Sequence, residues 1–160
     1  MMKLTCGGYS PGGSIPLKYV HGMVAGGKNV SPAFAWTDPP ISTKSFALTI
    51  VDPHPVAKNW VHWCVIDIPF RERALPEGAT RSHLLPPGSR ELLSTYGEAG
   101  YGGPAPPVGS GVHPYVATLY ALSVPSLQLE KDAGLLKFLR AIEGKVIEEA
   151  SMTGNFEQVS

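Results

Sequence analysis

Four polar side chains lie where apolar stretches of the sequence meet loops, and these are the residues best placed to do chemistry. Asp52 follows the stretch SFALTIV, His62 lies within WVHWCVIDI, and His113 and Tyr115 come at the start of a third apolar run. Because side chains alternate between the two faces of a strand, His113 and Tyr115 are predicted to point the same way. If the three strands lie side by side, their ends are predicted to form one pocket that contains a carboxylate, two imidazoles and a phenol.

The chemistry of this predicted pocket favours an anion. Imidazole and phenol groups offer hydrogen-bond donors, and backbone N–H groups of a glycine-rich loop can add more. The carboxylate of Asp52 would repel an anionic ligand, because like charges repel. Two roles remove the conflict: Asp52 accepts an N–H from a histidine and fixes its tautomer, or it faces the cationic end of a zwitterionic ligand. Purely structural roles stay open, as a turn aspartate for Asp52 and as a satisfied core histidine for His62.

Three catalytic interpretations have less support in the sequence. Two histidines and an aspartate can hold zinc or iron, but no local ligand spacing such as HxxxH or HxD is present. Ser110 lies in Gly-Ser-Gly, but the sequence has no GxSxG pattern of a serine hydrolase. The segment 100–105 matches a relaxed dinucleotide-binding pattern, yet prolines stand where the helix of that motif would begin.

The segment 101–115, YGGPAPPVGSGVHPY, delivers His113 and Tyr115 to their strand. Its glycines permit close backbone approach, whereas its prolines fix φ and remove N–H donors. Such a composition also fits a flexible linker, but the apolar strand that follows directly favours a loop of set shape. A ligand-binding loop and a structural loop with a hydrogen-bonded histidine are both compatible with this segment.

Two long strands are predicted to position the pocket. Ser45–Val51 is nearly all apolar, and Asp52 shares the parity of Ile50, which predicts a core-facing carboxylate that needs a partner. Trp60–Ile68 is predicted to be a strand buried on both faces. One face of this second strand is predicted to carry Trp60, His62, Cys64 and Ile66. Residues 1–30, including Leu17–Val20, predict short strands joined by turns.

The C-terminal part of the chain has a different pattern. From Asp132 onward, apolar residues recur at helical spacing, which predicts an amphipathic helix over one side of the sheet. Gly144 is predicted to kink this helix or to divide it into two short ones. The apolar positions in this pattern are Leu135, Leu139, Ile142, Val146 and Ala150.

Composition bounds the class of protein. The 160 residues carry no formal net charge and 43% of them are hydrophobic, which predicts one ordered, mostly β domain over residues 1–160 and disfavours a nucleic-acid partner. No apolar run reaches the 18 residues of a membrane span. Cys6 and Cys64 form no CxxC pair, so no cysteine metal site is expected. With reduced thiols and no secretory segment, a cytoplasmic protein is expected.

Two segments together resemble the signature of the phosphatidylethanolamine-binding protein family, also called Raf kinase inhibitor-like proteins, in its short bacterial and archaeal branch. One is VDPHP followed by WVHW, within residues 51–63, and the other is the loop 101–115. SPAFAW, SFALTIV, LPEG at 75–78 and the tail ending MTGNFEQ support the resemblance. It covers nearly the whole chain.

This resemblance implies an antiparallel β-sandwich with a large central sheet, a smaller second sheet and short C-terminal helices. It implies a non-enzymatic protein without a cofactor that binds anionic or phosphorylated small ligands of the phospholipid head-group type, and a homodimer. Inhibition of serine proteases or kinases is the alternative function, and metal-assisted hydrolysis is a third. The implied site residues are Asp52, Trp60, His62, Tyr101, Gly103, Ala105, Pro106, His113 and Tyr115, with Trp60 and Tyr101 as walls.

Three departures from the family pattern bear on this site. Where the family usually has DPDAP the chain has DPHPV, so His54 replaces a carboxylate and a more cationic rim is expected. Ala105 replaces a cysteine or glycine and narrows the freedom of the loop backbone. Pro114 stands in place of an arginine, which removes a cation near the mouth and bears on partner recognition.

Overall fold

The architecture is taken from a computed structural model that describes all 160 residues. Two antiparallel sheets pack face to face, a small one in the order β1-β2-β5 and a large one in the order β6-β4-β3-β7-β8. The strands are β1 (Lys3–Cys6), β2 (Phe34–Thr37), β3 (Ser45–Asp52), β4 (Trp60–Pro69), β5 (Ala74–Leu75), β6 (Arg90–Glu91), β7 (His113–Leu122) and β8 (Val146–Phe156). The predicted mostly β sandwich is confirmed.

The main core lies between the two sheets, and a smaller one lies on the outer face of the large sheet. Phe34 and Trp36 from the small sheet meet Phe46 and Leu48 of β3 in the main core. On the outer face, Phe138 of the single α-helix, α1 (Leu135–Ile142), packs against the sheet. The central strands are therefore buried on both faces, as their apolar sequences predict. None of the helices has the length and apolarity that a membrane crossing requires.

A β-bulge in β4 changes which residues share a face. Ile50 of β3 pairs with Trp63 and Val51 pairs with Val61, so His62 has no partner on β3. His62 packs edge-to-face against Tyr115 on the side of the main core, where Trp63 is buried as well. Two successive side chains thus point to one side, as a bulge allows.

The prediction that one face of this strand carries Trp60, His62, Cys64 and Ile66 is therefore wrong. Cys64 and Ile66 belong to the outer core under α1, whereas Trp60 and His62 line a cavity on the other side. Strict alternation fails because the bulge adds one residue between the two halves of the strand.

The C-terminal prediction also needs correction. Residues 135–142 form α1, but the chain reverses at Gly144 (φ 73°) and continues as strand β8 rather than as a second helix. An i, i+4 spacing such as that of Val146 and Ala150 is compatible with one face of a helix and with one face of a strand. The segment becomes a strand because it pairs with the edge of β7 from Leu122 to His113. Near the N-terminus, Leu17–Tyr19 forms a 3-10 helix and not a strand.

Candidate ligand-binding site

A cavity of about 260 Å³ opens at the edge of the main core where the ends of β3, β4 and β7 meet. Seven of the nine predicted site residues line it, namely Asp52, Trp60, His62, Ala105, Pro106, His113 and Tyr115. Five further lining residues were not predicted, namely Met23, Val56, Ala57, Tyr96 and Pro107. The structure thus brings together the residues that strand parity placed at three strand ends.

Asp52 has both carboxylate oxygens engaged. Its Oδ2 accepts a hydrogen bond from Nδ1 of His113 at 2.6 Å, and its Oδ1 accepts one from the backbone N–H of His54 at 2.9 Å. Asp52 and His113 are 2% and 1% exposed. Of the two roles that the sequence left open for Asp52, this geometry corresponds to the first, in which it holds a histidine. Because each of its oxygens already accepts an N–H group, the carboxylate competes less for the other hydrogen-bond donors of the cavity.

His113 is held from three directions. Besides Asp52 at Nδ1, its Nε2 lies 2.9 Å from Oγ of Ser110. The ring of His54 stacks on it with a centroid distance of 3.8 Å and an interplanar angle of 5°. Both ring nitrogens of His113 therefore have protein partners, so the ring serves as a wall of the cavity rather than as its free hydrogen-bonding group.

His62 provides the free imidazole nitrogen of the site. Its Nδ1 lies 2.7 Å from the carbonyl oxygen of Gly102, and because a carbonyl can only accept, Nδ1 carries the proton. Nε2 is therefore a lone-pair acceptor on a ring that lines the cavity. Burial lowers the pKa of His62 to about 4, so the ring is neutral near pH 7.

Two other residues that line the cavity, Trp60 and Tyr115, carry hydrogen-bond donors. The indole Nε1 of Trp60 is buried and has no hydrogen-bond partner, an arrangement that costs about 1–3 kcal/mol when nothing satisfies the group. Burial, with the nearby charge of Asp52 as a smaller cause, raises the pKa of Tyr115. Its phenol is therefore protonated at neutral pH and can donate. The residues that line the cavity thus carry two donors without a partner and one acceptor.

Tyr101 and Gly103 do not line the cavity, which corrects their predicted contact with a ligand. The hydroxyl of Tyr101 donates to the carbonyl of Tyr19 at 2.6 Å, and its ring packs edge-on against Trp63 in the core. A Cβ on Gly103 would collide with the carbonyl oxygen of Tyr19. Both residues thus fix the position of the loop 101–115 against the backbone of Tyr19. Gly103 does so because a glycine permits a close backbone approach that a side chain would block.

Tyr96 is the site residue that the sequence did not indicate. Its hydroxyl donates to the carbonyl of Gly103 at 2.7 Å, and its ring meets those of Trp60 and His62 edge-on. A Cβ on Gly102 would enter the ring of Tyr96. The segment 71–100 has no clear periodicity, so only the paired glycines of the loop could have signalled that a large side chain lies against it.

The match to known proteins decides the family. A model of the phosphatidylethanolamine-binding protein family matches residues 8–157. The chain belongs to this family. A UPF0098 protein of Methanothermobacter thermautotrophicus is 37% identical over 157 residues, which cover 98% of this chain and 99% of the relative. The predicted bacterial and archaeal branch of the phosphatidylethanolamine-binding proteins is thereby confirmed.

Two solved structures share the fold. The crystal structure of YbcL from Escherichia coli, described as a member of the mammalian PEBP family, superposes with a TM-score of 0.91 at 30% identity and covers 98% of both chains. A carboxypeptidase Y inhibitor in complex with its cognate proteinase superposes with a TM-score of 0.56 at 22% identity. The match covers 92% of this chain and 76% of the inhibitor chain. The latter likeness shows a common fold only.

The departures from the usual family pattern can now be placed. His54 contacts the site twice, through its backbone N–H to Asp52 and through its ring stacked on His113. Ala105 is part of the cavity lining. Pro114 pairs with Asn155 of β8, and strand alternation turns it away from its neighbours in the cavity. Two of the three departures therefore bear on the pocket directly.

Proposed function

We propose that this cavity binds a phosphorylated small molecule through a singly protonated phosphate group, without chemical change. The observation that carries the proposal is the engagement of both Asp52 oxygens by N–H groups. A carboxylate with unengaged oxygens would compete with an anion for the donors of the cavity, whereas one whose two oxygens already accept N–H groups leaves those donors to the ligand. Two unshared donors and one acceptor then define the ligand.

The proton on the phosphate follows from the tautomer of His62. The ionised oxygens of the ligand would accept from Nε1 of Trp60 and from the hydroxyl of Tyr115. Nε2 of His62 can only accept, so it fits a P–OH group and not a P–O⁻ group. The remaining wall is apolar, with Met23 and Pro107 among its residues, and would accommodate the organic part of a phosphate monoester.

Thermal unfolding tests this proposal with phosphoethanolamine as the probe. A ligand at a hundred times its dissociation constant adds about 2.7 kcal/mol of stability, which raises the Tm of a chain of this size by roughly 5–10 °C. The Tyr115→Phe variant should lose most of this shift. Tyr120→Phe is the matched control because Tyr120 lies on the outer face of the sheet, against Phe138.

Two results would contradict the proposal. One is the absence of a shift in the wild type at millimolar phosphoethanolamine, and the other is an equal shift in Tyr115→Phe. Inorganic sulfate, which carries no proton at neutral pH, should stabilise the protein less than phosphate because it offers no donor to His62.

Inhibition of a serine protease is the second candidate, supported by the fold shared with the carboxypeptidase Y inhibitor. Titration of a serine carboxypeptidase and a chymotrypsin-like protease with the protein tests it, and full protease activity at equimolar protein would count against it. A single domain over residues 1–160, homodimerisation, kinase regulation and a cytoplasmic location stay predictions. Sedimentation would test the dimer.

A further inference from the structure

Ser110 completes a line of hydrogen bonds that starts at Asp52. Oδ2 of Asp52 lies 2.6 Å from Nδ1 of His113, and Nε2 of His113 lies 2.9 Å from Oγ of Ser110. We propose that these three residues form a nucleophilic triad that hydrolyses small carboxylic esters. Ser110 would be the nucleophile and His113 the general base, while Asp52 is a positioning residue. A hydroxyl within hydrogen-bond reach of a base that a third group orients is the signature of an activated nucleophile.

The base is fixed in the form that this role needs. Because Nδ1 of His113 donates to a carboxylate, the neutral ring keeps its proton there and turns a lone pair on Nε2 toward Ser110. The carboxylate is fixed in turn by the backbone N–H of His54 at 2.9 Å. Asp52 and His113 are almost fully buried, whereas Ser110 is partly exposed. The base is shielded from solvent and the nucleophile remains accessible.

The loop around Ser110 leaves room for a substrate. Gly109 and Gly111 flank it with φ values of 86° and 83°, and a Cβ on either glycine would meet no atom within 4 Å. The backbone N–H of Gly111 donates to no backbone carbonyl. The N–H of the residue after the nucleophile is a common oxyanion donor. Pro107, four positions before Gly111, lines the apolar cavity, which could receive a small acyl or alkyl group.

One contact in the loop competes with the triad. Oγ of Ser110 also donates to the carbonyl of Pro107 at 2.6 Å. A hydroxyl has a single proton, so it points either to this carbonyl or to Nε2 of His113. Activation requires the second orientation, and the competition predicts slow turnover. The rival explanation is that the line of hydrogen bonds only fastens the loop.

The reaction balances without a cofactor. Oγ of Ser110 bonds to the ester carbonyl carbon while its proton passes to Nε2 of His113. The bond to the alcohol then breaks, and the departing oxygen takes that proton, which leaves an acyl group on Ser110. Water attacks the acyl carbon, gives a proton to Nε2, and the serine oxygen leaves and recovers it. One ester and one water become one acid and one alcohol.

Covalent labelling with a fluorophosphonate tests the proposal, because Oγ displaces fluoride from phosphorus and the adduct persists. The wild type should gain one adduct that peptide mapping places on Ser110, and p-nitrophenyl acetate should be hydrolysed about 100-fold faster than by Ser110→Ala. Ser110→Ala should gain no adduct. Ser123→Ala, at an exposed serine at the end of β7, is the matched control and should behave as the wild type does.

The outcomes separate this proposal from the binding function. Equal labelling of wild type and Ser110→Ala, or no labelling of the wild type, would overturn it and leave a purely structural bond. If the wild type is not labelled and Ser110→Ala has a lower Tm, the hydrogen bonds of Ser110 only hold the loop in place. The phosphoethanolamine shift should persist in Ser110→Ala, since Ser110 is not part of the cavity lining. The binding function is therefore tested by the Tm shift of Tyr115→Phe, and the triad is tested by the labelling of Ser110→Ala.

Discussion

The carboxylate of Asp52 and the imidazole of His113 form a buried pair at 2.6 Å, although they lie 61 positions apart in the chain. The pair joins the last residue of β3 to the first residue of β7. The contact fixes both side chains in the wall of the cavity. Both the proposed phosphate site and the proposed triad depend on this one contact.

Loss of the Asp52 side chain should therefore destabilise the fold. Asp52→Ala leaves the N–H groups of the buried His113 and of His54 without their acceptor, and a buried donor left unsatisfied costs about 1–3 kcal/mol. Urea unfolding would measure this loss in the free energy of unfolding. Asp132→Ala, at an exposed position, should change it by no more than about 0.5 kcal/mol. A loss below about 1 kcal/mol for Asp52→Ala would show that the pair contributes little.

His62 predicts a specific dependence of stability on pH. Burial lowers its pKa to about 4 in the folded protein, against about 6.5 in an unfolded chain. Between these values the unfolded chain binds a proton that the folded protein excludes, so stability falls as the pH drops from 6.5 to 4. The loss reaches about 3 kcal/mol at the lower end and vanishes above pH 6.5.

His62→Asn isolates this contribution. Asparagine keeps an N–H near the carbonyl of Gly102 but cannot be protonated in this range. The stability difference between wild type and variant, measured by urea unfolding at several pH values, should change by about 3 kcal/mol between pH 6.5 and 4. Parallel pH profiles for the two proteins would mean that His62 is protonated as easily in the fold as outside it.

Gly103 should tolerate no side chain, since a Cβ there would meet the backbone of Tyr19 and His21. Overpacking against backbone costs typically 1–3 kcal/mol, so Gly103→Ala should lower the free energy of unfolding by at least that amount. Gly22→Ala is the control because the nearest atom to its Cβ would be 4.0 Å away. Similar effects for the two alanines would argue that the loop moves aside.

Affinity for a phosphate monoester should fall as the pH rises. The second pKa of a phosphate monoester is near 6, so the singly protonated form drops roughly 50-fold between pH 6 and pH 8, while His62 stays neutral throughout. Calorimetric titration with phosphoethanolamine should show a comparable weakening. An affinity that is unchanged or higher at pH 8 would mean that the doubly ionised form binds and that His62 does not select a P–OH group.

The alternation of side chains along each strand predicted the position of the pocket, because this alternation depends only on local strand geometry. Asp52, His113 and Tyr115 follow regular alternation, and each lies on the side that the sequence predicts. His62 reaches the cavity through a bulge, which depends on pairing with β3 and leaves no mark in the order of residues. Tyr96 belongs to a segment without periodicity, so its place in the cavity arises from tertiary contacts alone.

The tail illustrates the same limit at the level of the fold. Val146 and Ala150 have a spacing that helices and strands share, and the choice between them is made by the free edge of β7, far away in the sequence. Helix propensity is weak beside a ladder of long-range hydrogen bonds. Ser110 had no recognised motif, and only the three-dimensional structure brings it to His113.

The indole N–H groups of the three tryptophans offer the most direct test of the phosphate site. Nε1 of Trp36 donates to the carbonyl of Glu72 and Nε1 of Trp63 donates to the side chain of Glu91, whereas Nε1 of Trp60 has no partner. In a nitrogen–proton correlation spectrum titrated with phosphoethanolamine, the resonance of Trp60 should move downfield and saturate, and the other two should stay in place. An unmoved Trp60 resonance at saturating ligand, or equal shifts of all three, would contradict a phosphate bound in this cavity.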